Sequence, residues 1–150
     1  MNTIRNVTII GAGTMGHSLA QVFAQGGYPV WLQDVKEEIL SKAKKLIAAN
    51  LETLVELNLL DQGQQASILD RIRTTIKLEE AGKNADLVIE AIFEDARAKK
   101  EIFKALDRIC PPPTILASNT SYMDIFKFVE TDRPEKVLIT HWFAPPHIVP

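Results

Sequence analysis

Short apolar runs alternate along this chain with longer stretches in which apolar positions recur every three or four residues. Val7-Thr8-Ile9-Ile10 is β-branched and stops at a glycine, the pattern of a buried strand. From Thr14 to Gln25, Met15, Leu19, Val22 and Phe23 fall at helical spacing, and Gly26-Gly27 ends the helix. Pro29 to Leu32 predicts a second strand, with proline tolerated at its start. Residues 36–60 carry Ile39, Ala43, Leu46, Ile47, Leu54 and Leu57 along a long amphipathic helix. Asp61-Gln62-Gly63 breaks it, and Ala66, Ile68, Leu69 and Ile72 predict a second helix over 64–73. The pair reads as a helical hairpin inserted at about 36–73.

The alternation then resumes. Residues 86–91 predict a strand, and Ala96 to Ile109 a helix with Ile102, Phe103, Leu106 and Ile109 on one face. Pro111-Pro112-Pro113 forbids that helix from continuing. Thr114 to Ala117 and Lys136 to Thr140 are further strands. Strands separated by helices imply right-handed crossovers and a mainly parallel sheet. The predicted class is therefore α/β, doubly wound, in one domain.

Composition narrows the function classes. The chain has 150 residues, 46% of them hydrophobic, and a formal net charge of −2, which gives no electrostatic reason to expect nucleic acid or an anionic membrane as partner. No apolar stretch approaches a bilayer span of about 20 residues, and the first residues lack the h-region of a secretory leader. A lone cysteine, Cys110, excludes an internal disulfide framework and fits a reducing, cytoplasmic setting. Packing is the expected role of that thiol, since no base stands beside it in sequence.

The chemistry begins where the first strand ends. Gly11-Ala12-Gly13-Thr14-Met15-Gly16 is G-x-G-x-x-G directly after a strand and opening a helix, the context that a dinucleotide loop requires. The first glycine permits the turn, the second lets backbone approach a pyrophosphate, and the third allows close helix–strand packing. The helix N-terminus adds free N–H groups for the phosphates, from Thr14 and Met15 onward. Asp34 closes the second strand, where a carboxylate accepts from ribose hydroxyls and repels a 2′-phosphate, favouring NAD over NADP. Alone, Asp34 is also readable as a helix cap. Flavoproteins and methyltransferases share such loops, so the loop does not decide the reaction.

Three later stretches are more specific: DLVIEAIFEDARAKKEIFKALD (86–107), ASNTSYMDI (117–125) and HWFAPP (141–146). With GAGTMG and Asp34, they resemble the NAD-binding domain of the L-3-hydroxyacyl-CoA dehydrogenase family over essentially the whole chain. The resemblance implies that Glu94 and Lys99 line the nicotinamide half of the cofactor, with Asn119 a further contact. It implies that Ser121 hydrogen-bonds the substrate's 3-oxygen and that His141 is the catalytic histidine. Those residue types suit the oxidation of a secondary alcohol. An imidazole is poised to take the hydroxyl proton near neutral pH, and a serine hydroxyl can donate to the oxygen as charge develops. Read singly, each has a plainer interpretation: a structural histidine, a turn serine, solvated charges at a helix end.

Some positions depart from the family pattern. Ala144 replaces a supporting asparagine, Tyr122 a second serine, and Asn50 and Leu57 stand where a serine and a lysine face CoA. Pro145-Pro146 is reminiscent of relatives that oxidise free hydroxy acids. In the family, a glutamate that orients the histidine comes further along, before a helical domain that completes the substrate cleft and forms a homodimer. The chain reaches Pro150 before either, so the expectation is a truncated cofactor domain, inactive alone. The expected whole is an NAD-dependent dehydrogenase of fatty acid metabolism acting on a small molecule, either an acyl-CoA or a hydroxy acid. The rival of another class is a non-catalytic nucleotide-binding module. His17 and His147 are expected to be surface residues.

Overall fold

A computed structural model describes residues 3–149. Six parallel strands form one sheet: β1 (Val7–Ile10), β2 (Val30–Gln33), β3 (Ile72–Thr75), β4 (Leu87–Glu90), β5 (Ile115–Ser118) and β6 (Val137–Ile139). Their spatial order is β3-β2-β1-β4-β5-β6. The chain therefore runs outward from β1 to one edge, returns, and runs outward to the other. That reversal opens a crevice between β1 and β4 at their carboxyl ends, where open α/β sheets hold ligands.

The period-two alternation of buried strands divides the core between the two faces. Val7, Ile9, Leu32, Ile89 and Ala117 pack on the side covered by α1 (Thr14–Gln25), α2 (Glu37–Glu56) and α3 (Gln64–Asp70). Ile10, Val88 and Leu116 pack on the other side, against Phe103 and Leu106 of α5 (Ala96–Ile109). Between β3 and β4 runs the short α4 (Leu78–Gly82), whose Ala81 carbonyl accepts the Thr8 hydroxyl at 2.7 Å. Asp95 caps α5, its carboxylate accepting the Ala98 N–H at 2.8 Å, and the helix spans the predicted Ala96 to Ile109.

The predicted hairpin over 36–73 needs correction. Helices α2 and α3 are present, but Ile72–Thr75 is the edge strand β3, paired parallel to β2. The segment is thus the crossover from β2 to β3 and not an insertion. Helical spacing through Ile68, Leu69 and Ile72 masked the β-branched run Ile72-Arg73-Thr74-Thr75. Four other strands differ from prediction by one residue at each end. None of the helices among the described residues is long and apolar enough to cross a membrane.

Candidate active site

The glycine loop sits at the carboxyl end of β1, and its three glycines have three separate reasons. Gly11 has a φ of +94°, and a Cβ there would lie 2.7 Å from the Ala91 carbonyl oxygen. At Gly16 a Cβ would lie 1.7 Å from the Gly11 carbonyl oxygen, so the helix can approach the turn only without a side chain. A Cβ at Gly13 would meet nothing within 4 Å. The space over Gly13 is open, as the path of a bound pyrophosphate requires, and Thr14 and Met15 begin α1 beneath it.

Asp34 follows β2 directly. Its carboxylate accepts the Ala12 N–H at 2.8 Å and the Val35 N–H at 2.7 Å. The helix-cap alternative does not hold, since Lys36 occupies the cap position of α2. Asp34 instead fastens the glycine loop while its half-buried oxygens border a cleft of about 740 Å³. Val35, Ile76, Ile92 and Phe93 give that cleft apolar walls, the lining suited to an adenine ring beside a ribose-binding carboxylate.

The second group of residues lies at the carboxyl ends of β4, β5 and β6. Glu90, fully buried at the end of β4, accepts the Lys99 ammonium at 2.7 Å and the Ile92 N–H at 2.8 Å on one oxygen. Its other oxygen accepts the Ser118 hydroxyl at 2.6 Å. Lys99 also reaches Glu94 at 3.3 Å. Glu94 accepts the Thr120 hydroxyl and, at 2.7 Å, the Ser121 N–H. Burial pushes the Glu94 pKa up, but Ser121, Thr120 and Lys99 outweigh it and hold the carboxyl below its ordinary value.

Lys99 therefore needs correction as a cofactor-lining residue. It is 1% exposed, and its ammonium is taken up by Glu90 and Glu94. Glu94 remains at the rim, but it is bound within the cluster and is not a freely solvated charge.

Asn119 follows β5, and its side-chain oxygen accepts the Trp142 N–H at 2.9 Å. That bond ties the loop holding the exposed Ser121 to the segment holding His141. The His141 ring is exposed, with its centroid 4.8 Å from that of Phe143.

Two further histidines depart from expectation. His17 is buried, because Nδ1 turns inward to the Gly13 carbonyl at 2.7 Å and Nε2 meets the Ser18 hydroxyl at 3.2 Å. His147 is half-buried; its burial and the nearby His17 hold its pKa below the usual histidine value. Cys110 is buried among apolar side chains, as expected, and burial pushes its thiol up to about 11. No group of three or more His, Cys, Asp or Glu among the described residues is arranged to hold a metal ion.

Residues 6–150 match the model of the 3-hydroxyacyl-CoA dehydrogenase NAD-binding domain. The chain belongs to that family. It is 41% identical over 143 residues to a probable 3-hydroxybutyryl-CoA dehydrogenase of Bacillus subtilis, covering 95% of this chain and 50% of the relative. It is 39% identical over 140 residues to the 3-hydroxybutyryl-CoA dehydrogenase of Clostridioides difficile, covering 93% and 50%. The solved structure of the Escherichia coli 3-hydroxybutyryl-CoA dehydrogenase superposes with a TM-score of 0.93 at 35% identity, over 98% of this chain and 31% of that one. The chain spans about half the length of these curated relatives.

NAD is accordingly the cofactor of this 3-hydroxyacyl-CoA dehydrogenase domain, and the open space over Gly13 and the carboxylate of Asp34 fit it. Sequence reasoning missed Glu90 and Ser118 in this domain. A glutamate closing an apolar strand, as in Leu87-Val88-Ile89-Glu90, was the available signal, because a buried charge needs a partner.

Proposed function

We propose that the protein to which this domain belongs oxidises an L-3-hydroxyacyl-CoA to the 3-oxoacyl-CoA. The observation that carries the reading is the hydrogen bond from Trp142 N–H to the Asn119 side chain. It joins the loop of Ser121 to the strand end of His141, beside the crevice that suits the dinucleotide. Bound NAD supplies the hydride acceptor. His141 takes the proton from the substrate's 3-hydroxyl. The Ser121 hydroxyl donates to the same oxygen and orients it. Glu94 fixes the backbone of Ser121, and Asp34 with the glycine loop binds the adenosine and pyrophosphate end.

In this reading, the half of the relatives that the chain does not span completes the substrate cleft, orients His141 and forms a homodimer. The cytoplasm is the proposed location, in keeping with a single thiol that is buried.

NADH fluorescence titration tests the cofactor half of the proposal, and no binding at high-micromolar NADH sinks it. The chemistry is tested with 3-hydroxybutyryl-CoA in a protein carrying both halves. There His141→Gln is expected to lower kcat at least about 100-fold with KM little changed. A fully active variant refutes the role of His141.

A second reading, a dehydrogenase of free hydroxy acids, is favoured by one observation. The Asn50 amide on α2 donates to Gln21 at 3.1 Å, and Leu57 beyond the helix end is an exposed apolar residue. Neither offers a cation to the phosphates of CoA. Rates with acetoacetyl-CoA against free acetoacetate separate the two.

A further inference from the structure

One buried group has no role in the chemistry above. Glu90 is wholly inaccessible, yet it bonds to α5, to the turn after β4 and to the end of β5. Through its side chain it holds Lys99 of α5, Ile92 of the turn after β4, and Ser118 at the end of β5. Through its carbonyl it accepts the Asn119 N–H at 2.7 Å. Lys99 passes the restraint on to Glu94, and Glu94 to Ser121. The cluster contains two carboxylates and one ammonium, so it keeps one negative charge in a poorly solvated setting, where charge acts over distance.

We propose that Glu90 is a positioning residue that acts through Lys99 and Ser118. It fixes the 119–121 loop and leaves one net negative charge that favours the oxidised, cationic nicotinamide over the reduced, neutral one. The inference rests on the reading that His141 and Ser121 flank the nicotinamide. A hydride acceptor bound at such a site is stabilised in the form ready to react. The adenosine end, held by Asp34 and the glycine loop, lies outside the cluster's hydrogen bonds.

The test compares Glu90→Gln with the parent chain in calorimetric titrations with NAD+, NADH and ADP-ribose. Glutamine matches glutamate in shape and can still bond Ser118 and the Ile92 N–H, but it removes the surplus charge. NAD+ affinity is expected to fall roughly tenfold relative to NADH, the size of a unit charge about 12 Å away at an effective dielectric of about 20. ADP-ribose, which lacks the nicotinamide, should bind as before. An unchanged NAD+ to NADH ratio overturns the proposal, and so does a parallel loss of ADP-ribose binding, the mark of a merely structural role.

Should Glu90→Gln not fold, the double variant Glu90→Gln/Lys99→Met removes both buried charges and retains Glu94. It is expected to keep the parental NAD+ to NADH ratio, and loss of that ratio overturns the charge assignment. A parent chain that binds neither NAD+ nor NADH sinks the proposed function itself. A parent that binds both, with Glu90→Gln unaltered, sinks only the role of Glu90.

Discussion

The side-chain oxygen of Asn119 accepts the backbone N–H of Trp142 at 2.9 Å, joining two segments that follow different strands. Asn119 itself is held by the Glu90 carbonyl at 2.7 Å. The ends of β4, β5 and β6 are thus bound to one another by hydrogen bonds beyond the sheet ladder. Ser121 and His141, both exposed, project from a frame that is itself fixed. Under the proposed function, such a frame sets the geometry of Ser121 and His141 before any ligand arrives.

The glycine loop separates stability from binding. Gly16→Ala is expected to destabilise the domain by about 3 kcal/mol or more, beyond the usual range for overpacking, because the new methyl overlaps backbone. Gly13→Ala should leave the urea midpoint nearly unchanged, yet weaken NADH at least about tenfold by filling the pyrophosphate path. Urea melts and NADH titrations of both variants check this. Equal stability loss at the two positions would contradict it.

Asp34→Asn should keep the bond from Ala12 N–H while losing the charge. Hydrogen bonds to charged groups contribute about 1.5–3 kcal/mol, so NADH affinity is expected to fall about tenfold or more. NADPH, no longer repelled at its 2′-phosphate, should lose less or gain. The ratio of the two dissociation constants is the measurement, and an unchanged ratio counts against Asp34 as the ribose ligand.

Acid sensitivity should trace in part to Asp107. Burial pushes its pKa up, but the Thr131 hydroxyl, the Asp132 N–H and the Arg133 guanidinium outweigh it, and the group lies below its ordinary value. A depressed carboxylate contributes stability above its unfolded pKa of about 3.9 and loses it as pH falls through the folded value. Glu94, also depressed, acts in the same direction. Asp107→Asn is therefore expected to be less stable than the parent at pH 7, with the gap closing below about pH 4. Urea midpoints across that range test it; a gap that widens in acid would be the wrong sign.

The parts of the fold written locally were legible in the sequence. GAGTMG after a β-branched strand announces its turn and helix, and the triple proline marks where α5 must have ended. What escaped depends on residues far apart in the chain. Lys99 resembles a solvated lysine in a first helical turn, and only the Glu90 carboxylate on another element buries it. His17 looks exposed until its ring turns to the Gly13 carbonyl. Ile72–Thr75 has helical spacing behind it and gains its strand character from pairing with β2. The same holds around the crevice: Gly11–Gly16 and His141 stand in motifs, whereas Glu90 shows in the sequence only as a glutamate closing an apolar strand, and its partners appear only in the fold.

The sheet order also has a consequence in time. β1 lies at the centre, between β2 and β4, but β4 comes only at Leu87–Glu90. At translation speeds of about 5–20 residues per second, some 4–16 s separate the synthesis of Ile10 from that of Glu90. During that interval one edge of β1 has no partner, and the Ala91 carbonyl that crowds Gly11 does not yet exist. The nascent chain must keep this strand, buried at every residue in the fold, from pairing elsewhere until its second neighbour arrives.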